Sequence, residues 1–222
     1  MVDIKNDKGG MERLLALGLR HVPVLARGKE YVSAQNLDEV ARFVGVKPSN
    51  TGRLAPAVLI ERWMLVFAAV QRHMRQMPAG KLSDFPTTGR DQNTAGLGYH
   101  AIRIGDAFLR VVNDGVQDWV QVSMESSPPD VKTGDDIARY GDEVTARLKQ
   151  WWAGWKDPAC SGKVVIREGE QSLHWFLERS VWHSAQHTRQ LASLLERYGV
   201  APDRPLGKAE LEGLPMPEGV WS

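Results

Sequence analysis

Four stretches of this chain repeat apolar residues at spacings of three and four, and that pattern limits the fold more than any other feature. Ile60, Trp63, Phe67, Val70, Met74 and Met77 make the first stripe, with Pro56 placed to start a helix and Pro78-Ala79-Gly80 to end it. The second begins near Thr94, sets Ala101, Ile104, Phe108 and Val111 on one face, and stops at Asn113-Asp114-Gly115. The third opens after Thr133 or Asp135 and carries Ile137, Tyr140, Val144, Leu148, Trp151 and Trp155. The fourth runs over residues 172–198, with Gly199 as its stop. Amphipathic helices of similar length bury their apolar faces on one another, so the spacing predicts a mostly α protein. Its main body, residues 57–200, is expected to be an up-down-type four-helix bundle.

The first 46 residues read differently, because their apolar runs are short, valine-rich and separated by turn residues. They predict a small α/β unit. Val2-Asp3-Ile4 is a strand, residues 10–19 a helix, Val22-Pro23-Val24-Leu25 a strand broken by Arg27-Gly28-Lys29, residues 30–33 a further strand, and residues 37–44 a helix stopped by Gly45. Residues 47–56, with the turn-rich run Pro48-Ser49-Asn50-Thr51-Gly52, form the linker. Within the main body, residues 81–93 are a long polar loop, and residues 119–133, which contain Ser126-Ser127-Pro128-Pro129, are expected to be irregular. A short hairpin around residues 162–169 follows Asp157-Pro158. Residues 201–222 hold four prolines and are expected to wrap the surface, anchored by Leu214 or Trp221.

A formal net charge of +1 gives no overall field that would draw the chain to nucleic acid or an anionic membrane. The single cysteine, Cys160, excludes an internal disulfide and any cysteine-rich zinc cluster, which fits a reducing compartment. Residues 1–8 lack an apolar core of the kind a secretory leader needs, and no run approaches the roughly 20 apolar residues of a membrane span. The expected location is cytoplasmic.

Polar residues interrupt the inward stripe of the fourth helix, which reads Leu173, Phe176, Ser180, His183, His187, Leu191, Leu194. His183 and His187 stand at i and i+4, so both rings leave one face a turn apart, the spacing at which two imidazoles can share one metal. Gln186 and Gln190 extend the polar patch. Unpaired polar groups in a core are costly, so these rings need a partner. His100 on the second helix offers one, since it shares a face with Ile104, Ala107 and Val111. Three neutral imidazoles with open positions suit zinc, nickel or ferrous iron; hydrogen-bonded packing histidines are the alternative. Gln190 is a candidate to orient a ligand and Arg103 to face an anionic substrate. His73, off its stripe, and His174, at a helix start, are expected either at the surface or behind the ligands as supporting residues, and His21 has no partner close in sequence.

The run Val181-Trp182-His183-Ser184-Ala185-Gln186-His187-Thr188-Arg189-Gln190 and its continuation to Gly199 resembles the final helix of the DinB superfamily, whose motif is His, three residues, His, then Gln three further on. The helix carrying Tyr99-His100-Ala101-Ile102 is similar to the one that supplies that family's first histidine, and the likeness covers residues 57–200. Gln186 departs from the pattern, standing where many members have another histidine. The resemblance implies a metal-dependent bundle, and the characterised members include thiol-dependent S-transferases and maleylpyruvate isomerases. It therefore implies a divalent ion on His100, His183 and His187, with a thiol such as glutathione, or water, activated beside it. Attack on a small electrophilic substrate would then give transfer, isomerisation or hydrolysis. A metal-binding stress or interaction scaffold without turnover is the alternative. A di-iron bundle would need Glu-x-x-His pairs, and Glu170 and His174 are four apart.

His21-Val22-Pro23-Val24-Leu25, followed by Ala34-Gln35-Asn36-Leu37, is similar to the second half of a glutaredoxin, with Pro23 where that family has its cis-proline. The resemblance implies Val22 and Pro23 as positions that contact the thiol cofactor. The Cys-x-x-Cys half has no counterpart here and Cys160 does not replace it, so redox activity of the glutaredoxin type is not expected. The exposed sheet edge of such a half-module suits pairing with a second copy, a homodimer.

Overall fold

The computed structural model describes residues 2, 7, 9–19, 23–34, 37–47, 53–87 and 92–221. It is mostly helical, with two two-stranded antiparallel sheets among those residues, and it divides into two units, Met1–Gly52 and Arg53–Ser222.

In the first unit, α1 (Gly10–Ala16) turns Gly10 and Leu14 inward. It ends before the expected Leu19, because Gly18 at φ 75° bends the chain back and the Leu19 N–H donates to the Leu14 carbonyl. β1 (Val24–Arg27) and β2 (Glu30–Ser33) pair in register from Val24 opposite Ser33 to Arg27 opposite Glu30. The expected break at Arg27 is corrected: the turn is the two residues Gly28-Lys29, Gly28 has the left-handed φ of 65°, and a two-residue turn leaves Arg27 within the ladder. α2 (Leu37–Phe43) packs on β2, and the Arg27 guanidinium lies 5.0 Å from the centre of the Phe43 ring. Pro23 is exposed, with its carbonyl accepting from the Ala34 N–H at 2.9 Å. Asp3 and Ile4 of the expected first strand, His21, Val22 and the linker residues 48–52 lie outside the described residues.

The second unit is built on four long helices, α3 (Pro56–Gln76), α4 (Thr94–Asp114), α6 (Gly134–Gly154) and α7 (Leu173–Arg197), with α5 (Trp119–Met124) between α4 and α6. α3 packs along both α6 and α7, and α4 packs along the same two. Trp63, Phe67, Phe108, Leu148, Phe176 and Leu177 fill the middle, with the rings of Trp63 and Phe108 edge to face at 5.4 Å. The helix starts follow local chemistry. Asn93 accepts from the Gly96 N–H, Ser172 from the Trp175 N–H, and Thr133 and Asp136 form a reciprocal capping box. Gly134 must be bare: a Cβ there would stand 1.9 Å from the Met74 carbonyl oxygen, so α6 begins directly on the last turn of α3.

The expected irregular stretch over residues 119–133 is corrected in its first part. The Asp118 side chain accepts from the Gln121 N–H, Trp119 and Val122 turn inward one turn apart, and α5 packs on α4. β3 (Lys163–Ile166) and β4 (Gly169–Ser172) form the hairpin that leads into α7. Before it, Cys160 is fully buried at a left-handed φ of 46°, and burial pushes its thiol up to about 11. After α7, Arg72 donates to the carbonyls of Asp203 and Arg204, Gln76 donates to that of Ala201, α8 (Lys208–Leu211) follows, and Leu214 is buried. Among the described residues no helix is long and apolar enough to cross a membrane.

Candidate metal centre

α4 and α7 lie alongside each other, and the inward faces predicted for them meet at three imidazoles. The His100 ring is centred 5.4 Å from that of His183 and 4.9 Å from that of His187, and the two α7 rings are 4.8 Å apart. One ligand nitrogen from each lies within 4.8 Å of the others, so this buried triad could hold a metal ion. Nitrogens sharing a tetrahedral zinc ion stand about 3.4 Å apart.

The backs of the rings set which nitrogen faces the cluster. His100 Nδ1 lies 2.7 Å from the Ser123 carbonyl oxygen at the end of α5. A carbonyl only accepts, so Nδ1 carries a proton, and in the neutral ring the lone pair is left on Nε2. His187 Nδ1 lies 2.8 Å from Gln190 Oε1, with the same result. His183 is partly exposed as a residue, yet its Nδ1 is enclosed and meets no hydrogen-bond partner. Burial, then the proximity of His187, His100 and Arg179, holds the His183 imidazole well below its usual range, so it stays neutral near pH 7. Neutral, converging imidazoles are the donor set that borderline divalent ions take.

The other predicted residues fall into distinct places. Arg103 is 8% exposed; it donates from Nε to the Val122 carbonyl at 3.0 Å, from Nη1 to the Tyr99 hydroxyl at 3.3 Å, and pairs with Asp106 and Glu125. It thus clamps α5 to α4, next to the carbonyl that orients His100. Gln190 touches His187 directly, whereas Gln186 turns to the carbonyls of Gly219 and Val220. His174 donates from Nε2 to the Leu54 carbonyl at 2.8 Å. His73 is corrected: it is fully buried, because α3 packs on two helices and its covered arc is wider than one stripe.

Two contributors escaped the sequence reading. The Ser123 carbonyl is backbone and leaves no side-chain mark; the pair Trp119 and Val122 after Asp118 was the available signal for the helix that carries it. Arg179, one turn before His183, is buried over the Trp119 indole at 4.1 Å, and burial lowers its guanidinium to about 10. Its position on the stripe side of α7, four residues before His183, was legible. Compared with family models, curated proteins and solved structures, the chain matches none.

Proposed function

We propose that Arg53–Ser222 is a divalent-metal protein of the DinB-like type, its four long helices forming an up-down-type four-helix bundle. His100, His183 and His187 hold the ion. The observation that carries this reading is the convergence of three imidazoles from two helices, two of them with Nδ1 tied to a fixed acceptor. A bound zinc, nickel or ferrous ion would supply Lewis acidity for activating a thiol or water. The chain's own part is to aim the His100 and His187 rings, through the Ser123 carbonyl and the Gln190 amide, and to keep His183 uncharged by burial.

The chemistry that follows is thiol-dependent transfer, isomerisation or hydrolysis on a small electrophile, with glutathione as the thiol. A metal-binding scaffold without turnover is the second reading, favoured by the commitment of Arg103 to protein partners rather than to an open surface.

The test is elemental analysis of protein purified without chelators or a histidine tag, beside the His183→Ala, His187→Ala double variant. Near-stoichiometric metal that vanishes in the variant is expected; wild type that neither carries nor takes up metal would falsify the reading. Metal-loaded protein is then incubated with electrophiles and a panel of thiols, where a metal-dependent product separates the enzyme from the scaffold.

A further inference from the structure

Residues 217–221 run across α7 and are gripped along one edge of it. Arg189 donates to the carbonyls of Pro217 and Glu218 at 2.8 and 3.3 Å, Gln186 to those of Gly219 and Val220 at 3.0 and 2.7 Å, and the Trp221 indole reaches Ser193 Oγ at 3.4 Å. Gln190 makes a contact of another kind. Its Nε2 donates to the Val220 carbonyl at 2.9 Å while its Oε1 takes the His187 Nδ1 at 2.8 Å.

Gln190 is 1% exposed, so water does not compete at either end of its amide. The Val220 carbonyl cannot donate, and this forces the amide NH2 toward Val220 and the amide oxygen toward His187. That oxygen cannot donate either, so the His187 proton must sit on Nδ1 and the lone pair on Nε2. Were Val220 absent, the amide would be free to turn over, offer its NH2 to Nδ1, and drive the proton to Nε2. The ring would then face the cluster with a proton in place of a lone pair.

We propose that the segment 217–221 is a working part of the histidine centre: the Val220 carbonyl, acting through Gln190, sets the His187 tautomer. Val220 and Gln190 are positioning residues, and the consequence for metal affinity rests on the reading of His187 as a ligand. The two helices then solve one problem in two ways. His100 takes its acceptor directly from the α5 backbone, whereas His187 takes it through a side chain that is itself oriented by the segment after α8.

The test uses the full chain without metal. Nitrogen-15 NMR of the imidazole nitrogens in mildly alkaline buffer reads the His187 tautomer, and titration with cobalt(II) reads affinity and the visible spectrum of the site. Wild type is expected to hold Nδ1–H. A Gln186→Ala, Arg189→Ala, Trp221→Ala variant loosens the segment without touching His187 or Gln190; a mixed tautomer is expected, with a cobalt(II) affinity lower by about 10- to 100-fold and a shifted spectrum. Adding Gln190→Glu, whose carboxylate can only accept, is expected to restore the single tautomer. An Nε2–H ring in wild type, or a loosened variant with unchanged tautomer and affinity, overturns the proposal. Wild type that binds no cobalt(II) yet shows the tautomer switch removes the metal reading and leaves the coupling standing. Cobalt(II) binding with a tautomer indifferent to the segment does the reverse.

Discussion

Histidine is buried in two places in Arg53–Ser222, and the two differ in everything but burial. At the α4–α7 contact three rings converge, and two of them have their far nitrogen tied to a fixed acceptor. On α3, His73 is fully buried alone, and neither ring nitrogen makes a hydrogen bond. Arg72 and Asp203 are the charges that act on it, and the backbone of Asp203 and Thr188 faces the ring. A buried imidazole is therefore no sign of a site in itself. What sets the triad apart is convergence, together with an orienting partner behind two of its three rings. His73 is a packing residue whose polarity the surrounding apolar atoms tolerate only while it is neutral.

The largest expected effect is on pH dependence, where His73 and His183 share a direction and substitution isolates the His73 part. Burial, then the Arg72 charge, pulls His73 down to about 4, with Asp203 opposing. The unfolded chain takes up that proton near 6.5, so between these values it binds more protons than the native state. Stability then falls as pH drops through this window, by about 3 kcal/mol once below 4, and is unaffected above 6.5. Urea unfolding of metal-free wild type and His73→Leu across that range checks it. The variant should lose this part of the slope; equal slopes would mean that His73 does not titrate as a buried group.

Metal addition should discriminate in the opposite sense. At about 100-fold excess over its dissociation constant, a divalent ion stabilises a protein that binds it only when folded by about 2.7 kcal/mol. Thermal unfolding with zinc or nickel is expected to show that rise in wild type and in His73→Leu alike, and to lose it in His100→Ala. Stabilisation surviving in His100→Ala would place the ion elsewhere.

The smallest effect concerns the support behind His100. Arg103→Met frees the end of α5 from α4, and the Ser123 carbonyl with it, so metal affinity should fall by about tenfold, near 1.4 kcal/mol, with the triad intact. Calorimetric titration measures it. An unchanged affinity would show that α5 is held by Trp119 and Val122 packing alone.

The same contrast explains what could be read from the residues. The four long helices follow a strong period, and their ends carry ordinary signals: Pro56 at one start, Thr133 with Asp136 at another, Gly115 in the left-handed conformation at a stop. His100, His183 and His187 were visible because they break apolar stripes at helical spacing. His73 was misplaced because a helix flanked by two others has two buried arcs, and a single stripe describes only one. α5 was lost because two prolines and two serines after it dominate the local composition, although a six-residue helix needs only a cap and two inward apolar residues. The carbonyls of Ser123 and Val220 leave no trace in side-chain identity.

Cys160 has a practical consequence. It is the one cysteine in the chain, fully enclosed and with its thiol raised to about 11, so thiol reagents should not reach it while the protein is folded. An engineered cysteine at an exposed position would then be the sole labelling handle without any need to remove the native one. Met124, exposed beside Ser123 at the end of α5, is such a position. A nitroxide attached there would report the distance to a paramagnetic ion held by the histidines.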